Sequence, residues 1–358
     1  MDILEHFYDL KPRNDLFHPR KLQLPGSGSF ALFGARATGK SALILEWLRE
    51  RPDESWLYLD AQDPVFALED IDVELLEGYL EEEGIRTLVI DHWYEGFLER
   101  LPEAEELILI SRNLPETLPF PRYELFPLDY EEFLGFDRGH SPTLTFNRFL
   151  RVGTLPALSR TPPASVSLRL RSLFYEMFDD AESRLLLILA RFQGRRVTAH
   201  QIYTTAREYF RISKDWTYAA LRRFREEKLI FFIPEAEKGS GKKLILYDFL
   251  LTRYLNKRQP FPVTFDAMVA LALIKHGFPF VSMGTLGYRL EGREEIVLPA
   301  AFENEEQFWR RAQSNYGAFR RAGASRVTVV SVSNRYSFRI GAIEFEALPF
   351  YEWSILNE

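Results

Sequence analysis

Residues Gly34-Ala35-Arg36-Ala37-Thr38-Gly39-Lys40-Ser41 carry the pattern G-x-x-x-x-G-K-S. Each fixed position has a mechanical job in holding a chain of phosphates. Gly34 and Gly39 let the backbone turn tightly, so that N–H groups of the loop, including those of Ala37, Thr38 and Ala42, can aim at phosphate oxygens. Lys40 brings a point charge to the outer phosphates, and the Ser41 hydroxyl is a ligand for Mg²⁺. A helix that begins here also presents the positive end of its dipole to the anion.

The elements around the loop must then be a strand before it and a helix after it. Ser29 to Phe33 is a short apolar run that reads as a buried strand, and Ala42 to Leu48 is an apolar helical stretch. Further strands are predicted at Ser55–Asp60, Thr87–Asp91 and Leu107–Ser111, with a short one around Tyr123–Phe126. A helix rich in Leu and Glu is predicted from about Leu68 to Glu83. Strands that are apolar along their length and alternate with helices imply a parallel sheet covered on both faces. In such sheets ligands sit at the carboxyl ends of the strands, where Gly34, Asp91 and Ser111 all fall. Asp91 then reads either as the acidic residue that holds Mg²⁺ through its water shell or as a helix N-cap. Ser111 is a candidate sensor of the terminal phosphate or of its attacking water.

The 358 residues are enough for two or three domains. No apolar run reaches the ~18 residues needed to span a bilayer. Met1-Asp2-Ile3-Leu4-Glu5-His6 lacks the basic start and apolar core of a secretion signal, and cysteine is absent, which excludes disulfides and thiol–metal sites. The expectation is a cytoplasmic protein without a membrane partner.

The net charge of −7 is unevenly spread. From Arg184 to Lys228 there are eleven Arg or Lys against four Asp or Glu, so this segment is +7 and the rest of the chain −14. The same region has its own pattern. Arg184–Phe192 is amphipathic and helical, Val197–Ile202 starts a second helix with Thr198 as its cap, and Ser213–Phe224 is a third, capped by Ser213. Strands at Leu229–Ile233 and Lys243–Tyr247 follow around a Gly/Lys-rich turn. Three helices and a β-hairpin is the layout of a winged helix-turn-helix. Its third helix carries Lys214, Thr217, Tyr218, Arg222 and Arg225 for the major groove, and its wing carries Lys238, Lys242 and Lys243 for phosphates. Winged helices also serve as protein-contact modules, and that alternative stays open. The last hundred residues alternate strand-like and helix-like segments, as in a small α/β domain.

Taken in order, Phe33–Ser41, Leu57–Asp60, Leu88–Asp91 and Leu109–Ser111 resemble the prokaryotic AAA+-related ATPases of the archaeal/bacterial ATPase superfamily. Pro127–Leu134 is similar to that family's P-L-[ST]-F-x-E-F segment, and Phe149–Pro156 to its Y-L-x-x-G-G-[FL]-P segment. The resemblance implies an α/β P-loop NTPase sheet with helices on both faces (residues 1–160), then a helical linker and winged helix (161–258). It also implies a small α/β domain related to restriction endonucleases (259–358). It implies ATP and Mg²⁺ as cofactors, with Ser41 and Asp91 at the metal, DNA as a partner and an oligomeric site that an arginine such as Arg112 could complete.

Two departures bear on mechanism. The residue after the Walker B Asp91 is His92 where the family has Glu, and an imidazole beside Mg²⁺ is a poorer base. Glu95 is the candidate substitute, and hydrolysis is expected to be slow. Around Tyr288-Arg289-Leu290 and Val297-Leu298-Pro299-Ala300 the carboxylates and lysine of a nuclease site are missing. Two functions follow: an ATP-dependent switch or motor acting on DNA, or a nucleotide-sensing scaffold that contacts proteins only. A small-molecule kinase would use the same loop, but no acceptor site is evident.

Overall fold

The computed structural model describes all residues except 1–2, 14–16, 18, 137–140, 238, 240 and 357–358. They fall into two compact units, Met1–Pro127 and Leu128–Glu358.

The first unit holds α1 (Ile3–Asp9), β1 (Phe30–Phe33), α2 (Lys40–Leu48), β2 (Trp56–Asp60), α3 (Val73–Glu82), β3 (Thr87–Asp91), β4 (Glu106–Ile110) and β5 (Arg122–Glu124). The five strands form one sheet in the order β2-β3-β4-β1-β5, and every pairing is parallel. The apolar strands are buried because both faces are covered. On one face Phe30, Leu32, Trp56, Tyr58, Val89, Ile108 and Ile110 pack with Leu43, Ile44 and Leu48 of α2. On the other, Ala31, Leu57, Leu59, Leu88, Ile90, Leu107 and Leu109 pack with Leu4 and Phe7 of α1 and with Val73, Leu76 and Leu80 of α3. Each fully buried Leu or Ile contributes roughly 1.5–3 kcal/mol. The chain leaves β1 for β2 at one edge and returns through β5 on β1's other side. The carboxyl end of β1, where the glycine loop begins, therefore lies at the switch in strand order.

The predicted helix over 68–83 begins only at Val73, because the Asp72 carboxylate accepts the Leu75 N–H and caps it there.

The second unit opens with α4 (Tyr130–Phe136), α5 (Pro142–Val152) and α6 (Val166–Met177). Both ends of α5 are set by local geometry. Ser141 caps its start, and Gly153, with φ +81°, ends it where a Cβ would lie 2.7 Å from that of Leu250. Then come α7 (Asp180–Arg191), β6 (Arg196–Val197), α8 (Ala199–Tyr209), α9 (Lys214–Glu226), β7 (Ile230–Ile233) and β8 (Lys242–Leu246), the strands forming an antiparallel sheet in the order β6-β8-β7. Thr198 and Ser213 cap α8 and α9 as predicted.

α10 (Phe249–Leu255) and α11 (Phe261–Lys275) lead to β9 (Phe280–Ser282), β10 (Tyr288–Leu290), β11 (Glu295–Pro299), α12 (Glu305–Arg321), β12 (Arg326–Ser331), β13 (Tyr336–Ile340), β14 (Ile343–Pro349) and α13 (Phe350–Leu356). The six strands make a mixed sheet, β13-β14-β12-β11-β10-β9, parallel at its centre. Its core joins Ile296, Leu298, Val327, Val329 and Phe345 to Phe308, Ala312 and Phe319 of α12. No helix among the described residues is long and apolar enough to cross a membrane.

Candidate functional site

The glycine loop is built by close approach. Gly34 has φ +141°, and a Cβ there would sit 2.4 Å from the carbonyl oxygen of Leu125, whose own N–H donates to the Phe33 carbonyl. Ala37 (φ +60°) and Gly39 (φ +89°) also take left-handed backbone, so the chain curls into a concave loop. The buried Thr38 hydroxyl donates to the Ala35 carbonyl at 3.0 Å. Arg20, which the sequence reading did not single out, donates to the Thr38 carbonyl (2.8 Å) and the Phe126 carbonyl (2.7 Å) and so ties the loop to the chain beyond β5. No side chain caps α2 and no acidic residue stands in its first turn, which leaves Lys40, Ser41 and Ala42 at a helix start suited to an anion. The Lys40 ammonium folds over the loop and donates to the carbonyls of Gly34 and Ala35, both at 2.9 Å.

Opposite the loop stand the ends of β2 and β3. Asp60 and Asp91 are register partners, and Tyr58 lies two residues back on β2, on the face that α2 covers. The Asp91 carboxylate is 2% exposed and doubly held. Its Oδ2 accepts from the Tyr58 hydroxyl at 2.5 Å and its Oδ1 from the His92 N–H at 2.7 Å. Burial, then the Asp91 charge and hydrogen bond, push the Tyr58 phenol far above its ordinary value, and a hydrogen bond with Ser41 works the other way. Ser41 at the start of α2 and Asp91 at the end of β3 supply hard oxygen atoms. Such a donor set fits Mg²⁺, which takes one or two protein oxygens and keeps water and phosphate for the rest.

His92 adopts φ +54°, and its Nδ1 lies 2.7 Å from Asp60 Oδ1 and 3.8 Å from Asp91 Oδ1. Burial disfavours the imidazolium, but the Asp60 hydrogen bond and the Asp91 and Asp60 charges outweigh it, so its pKa is raised; the Arg112 charge opposes them. The Asp60 carboxyl is pushed up by burial, but hydrogen bonds from His92 and the Gln62 N–H win and hold it below the usual range.

The carboxylate that joins this network is therefore Asp60, not Glu95, which is exposed in the turn after β3 and takes no part in the bonding of Asp91. Asp60 was legible only as the end of a strand, and its pairing with His92 comes from the register. Ser111 is 3% exposed, and its hydroxyl lies 2.7 Å from the Trp93 carbonyl and 2.6 Å from that of Asn113. Its single proton is spent on backbone, so it braces the ends of β3 and β4 and has none to offer a phosphate.

The basic segment divides by face. Lys214, Arg222 and Arg225 are exposed along α9, with Tyr218 half-buried among them and the Lys214 ammonium 5.7 Å from its ring. Lys242 is exposed at the start of β8. Two expected contact residues are corrected. Thr217 is fully buried in the stripe Thr217, Ala220, Leu221, Phe224 and donates to the Ser213 carbonyl. Lys243 is 6% exposed and paired with Asp266 at 2.8 Å, its ammonium 4.5 Å from the Tyr288 ring, so it is withdrawn from any phosphate. Lys238 lies outside the described residues. Arg223 is tied to Glu182 at 2.8 Å, which removes another cation from the open face.

The all-parallel sheet, the glycine loop at its switch point and the strand-end carboxylate facing it define a P-loop NTPase fold. No family model matches the chain, and no curated protein does. Among solved structures it is similar to the Walker-type ATPase PABY2304 of Pyrococcus abyssi (13% identity, 63% of this chain and 90% of that one, TM-score 0.41). It is also similar to the Aeropyrum pernix ORC1 protein in complex with DNA (13%, 64% and 87%, TM-score 0.33). A third is the Drosophila ORC bound to AT-rich DNA and Cdc6 (14%, 65% and 87%, TM-score 0.20). Likenesses this distant carry no functional argument, and the assignment of the site rests on its own geometry.

Proposed function

We propose that this chain binds ATP with Mg²⁺ as an AAA+-type switch or slow ATPase and couples its nucleotide state to DNA through a winged helix. The observation that carries the nucleotide half is the loop itself. Gly34 is forced by contact with Leu125, the start of α2 has no side-chain cap, and Lys40 folds over the loop onto the Gly34 and Ala35 carbonyls. Loop amides and Lys40 hold the phosphates. Ser41 and, through water, Asp91 hold the metal, which neutralises charge on the phosphates when bound. Asp60 and His92 replace the usual carboxylate base with an ion pair, which favours slow turnover or sensing without turnover.

The DNA half rests on the α7–α9 and β6–β8 arrangement and on Lys214, Tyr218, Arg222, Arg225 and Lys242, which remain on the open face after Thr217 and Lys243 are withdrawn. The six-stranded C-terminal region is read as a nuclease-like domain without catalytic residues, and an oligomer as the form that completes the nucleotide site.

The test is Mg²⁺-ATP binding and turnover with and without duplex DNA, beside Lys40→Ala and Lys214→Glu/Arg222→Glu. Lys40→Ala is expected to abolish nucleotide binding. The double charge reversal is expected to lower DNA affinity at least tenfold and flatten its salt dependence by about two phosphate contacts. Salt-independent or unchanged DNA binding in the double variant would leave the nucleotide-sensing, protein-contacting scaffold as the function.

A further inference from the structure

We propose that Tyr58 is the positioning residue of the metal site: its hydroxyl, which donates to Asp91 Oδ2, orients that carboxylate for Mg²⁺. The inference rests on the reading of Gly34–Ser41 as a nucleotide site and assigns a role to a residue on a strand outside the loop.

A phenol has one proton and can accept two more. Tyr58 spends its proton on Asp91 Oδ2, at 2.5 Å. Tyr58 on Oδ2 and the His92 N–H on Oδ1 fix the plane of the Asp91 carboxylate. Each of its oxygens keeps lone-pair capacity for a metal-bound water. The phenol cannot easily leave. Its ring is 7% exposed and packs in the cluster of Trp56, Val89 and Leu43, on the strand paired in register with that of Asp91. Partners that orient metal ligands in this way commonly contribute 10–100-fold to metal affinity.

The one Tyr58 proton goes to Asp91, so its effect should be confined to the metal. The experiment is equilibrium binding of a fluorescent, non-hydrolysable ATP analogue to the full chain, in EDTA and across a Mg²⁺ titration. Wild type, Tyr58→Phe and Ser41→Ala are compared, with melting curves in parallel. The expected result is unchanged affinity in EDTA for Tyr58→Phe and a Mg²⁺ midpoint raised tenfold or more. Ser41→Ala, which removes a ligand of the metal itself, should raise the midpoint as well. Tyr58→Met reads the same quantity should the phenylalanine disturb packing. Equal Mg²⁺ midpoints in wild type and both Tyr58 variants overturn the assignment. A wild type that binds the analogue equally with and without Mg²⁺ overturns the metal site itself, and one that does not bind it overturns the nucleotide reading.

Discussion

The glycine loop and the basic helix α9 were both read from residue types at a spacing, and the structure treats them differently. In the loop the two glycine positions are enforced by backbone. Gly34 has no room for a Cβ beside Leu125, Gly39 takes left-handed φ at the helix start, and Lys40 and Ser41 follow from where that helix begins. On α9 and the wing nothing in the backbone distinguishes a cation at the surface from a buried one. Lys242 and Lys243 are adjacent and alike, yet one is exposed and the other holds Asp266 and Tyr288 inside the second unit. A position whose letter is dictated by backbone geometry survives translation into three dimensions, whereas a count of charges must first be sorted by face.

The sharpest way to break the first half of that contrast is Gly34→Ala. If the loop is held by the 2.4 Å approach to the Leu125 carbonyl, a methyl group has to displace backbone at a φ that L-residues avoid. The expected outcome is loss of ATP affinity by about two orders of magnitude or more, of the size caused by Lys40→Ala, with the sheet still folded. Isothermal titration with circular dichroism checks it, and near-normal affinity would mean that the loop is more compliant than its contacts imply.

The second half is sharpened by the neighbouring lysines. Lys243→Ala strips a buried ion pair of one member and leaves Asp266 without its ammonium, a change that typically costs roughly 3–5 kcal/mol. Denaturant unfolding of the full chain should show this loss, with any DNA binding measured below the transition keeping its salt slope. Lys242→Ala should do the reverse, leaving stability within about 0.5 kcal/mol and lowering the slope by about one phosphate contact. If the two variants behaved alike, burial would not be what separates them.

How much of this was legible in the sequence follows from the same distinction. The parallel sheet was, because β1 to β4 are apolar on both faces and bounded by loops. The caps Thr198 and Ser213 were, because capping is a local rule. The burial of Thr217 was also within reach, since Thr217, Ala220, Leu221 and Phe224 fall at helical spacing on one side of α9. The alternation of a strand likewise separates Lys242 from Lys243 but does not say which of the two faces inward. Short elements such as β6 and β9 gave no signal, since two or three residues carry no period. The network around Asp91 was out of reach for another reason. Tyr58 and Asp60 reach it from a neighbouring strand, and the register that aligns Asp60 with Asp91 is a long-range fact.

That register sets the smallest and most specific test. His92 and Asp60 form an ion pair in which the histidine pKa is raised and the aspartate's lowered. A raised histidine contributes stability that is fully present below its unfolded value of about 6.5 and is lost as pH rises through the folded value. A lowered aspartate contributes stability present above its unfolded value of about 3.9 and lost as pH falls through the folded one. The pair therefore stabilises most between those limits. Both side chains are about a third exposed or more, so solvent screening caps the contribution at about 1 kcal/mol. Asp60→Asn should lower the melting temperature more at pH 6 than at pH 9, and salt should shrink the difference. An equal shift at both values would show that Asp60 accepts a hydrogen bond from a neutral His92, and that the network beside Asp91 is held by geometry alone, as the glycine loop is.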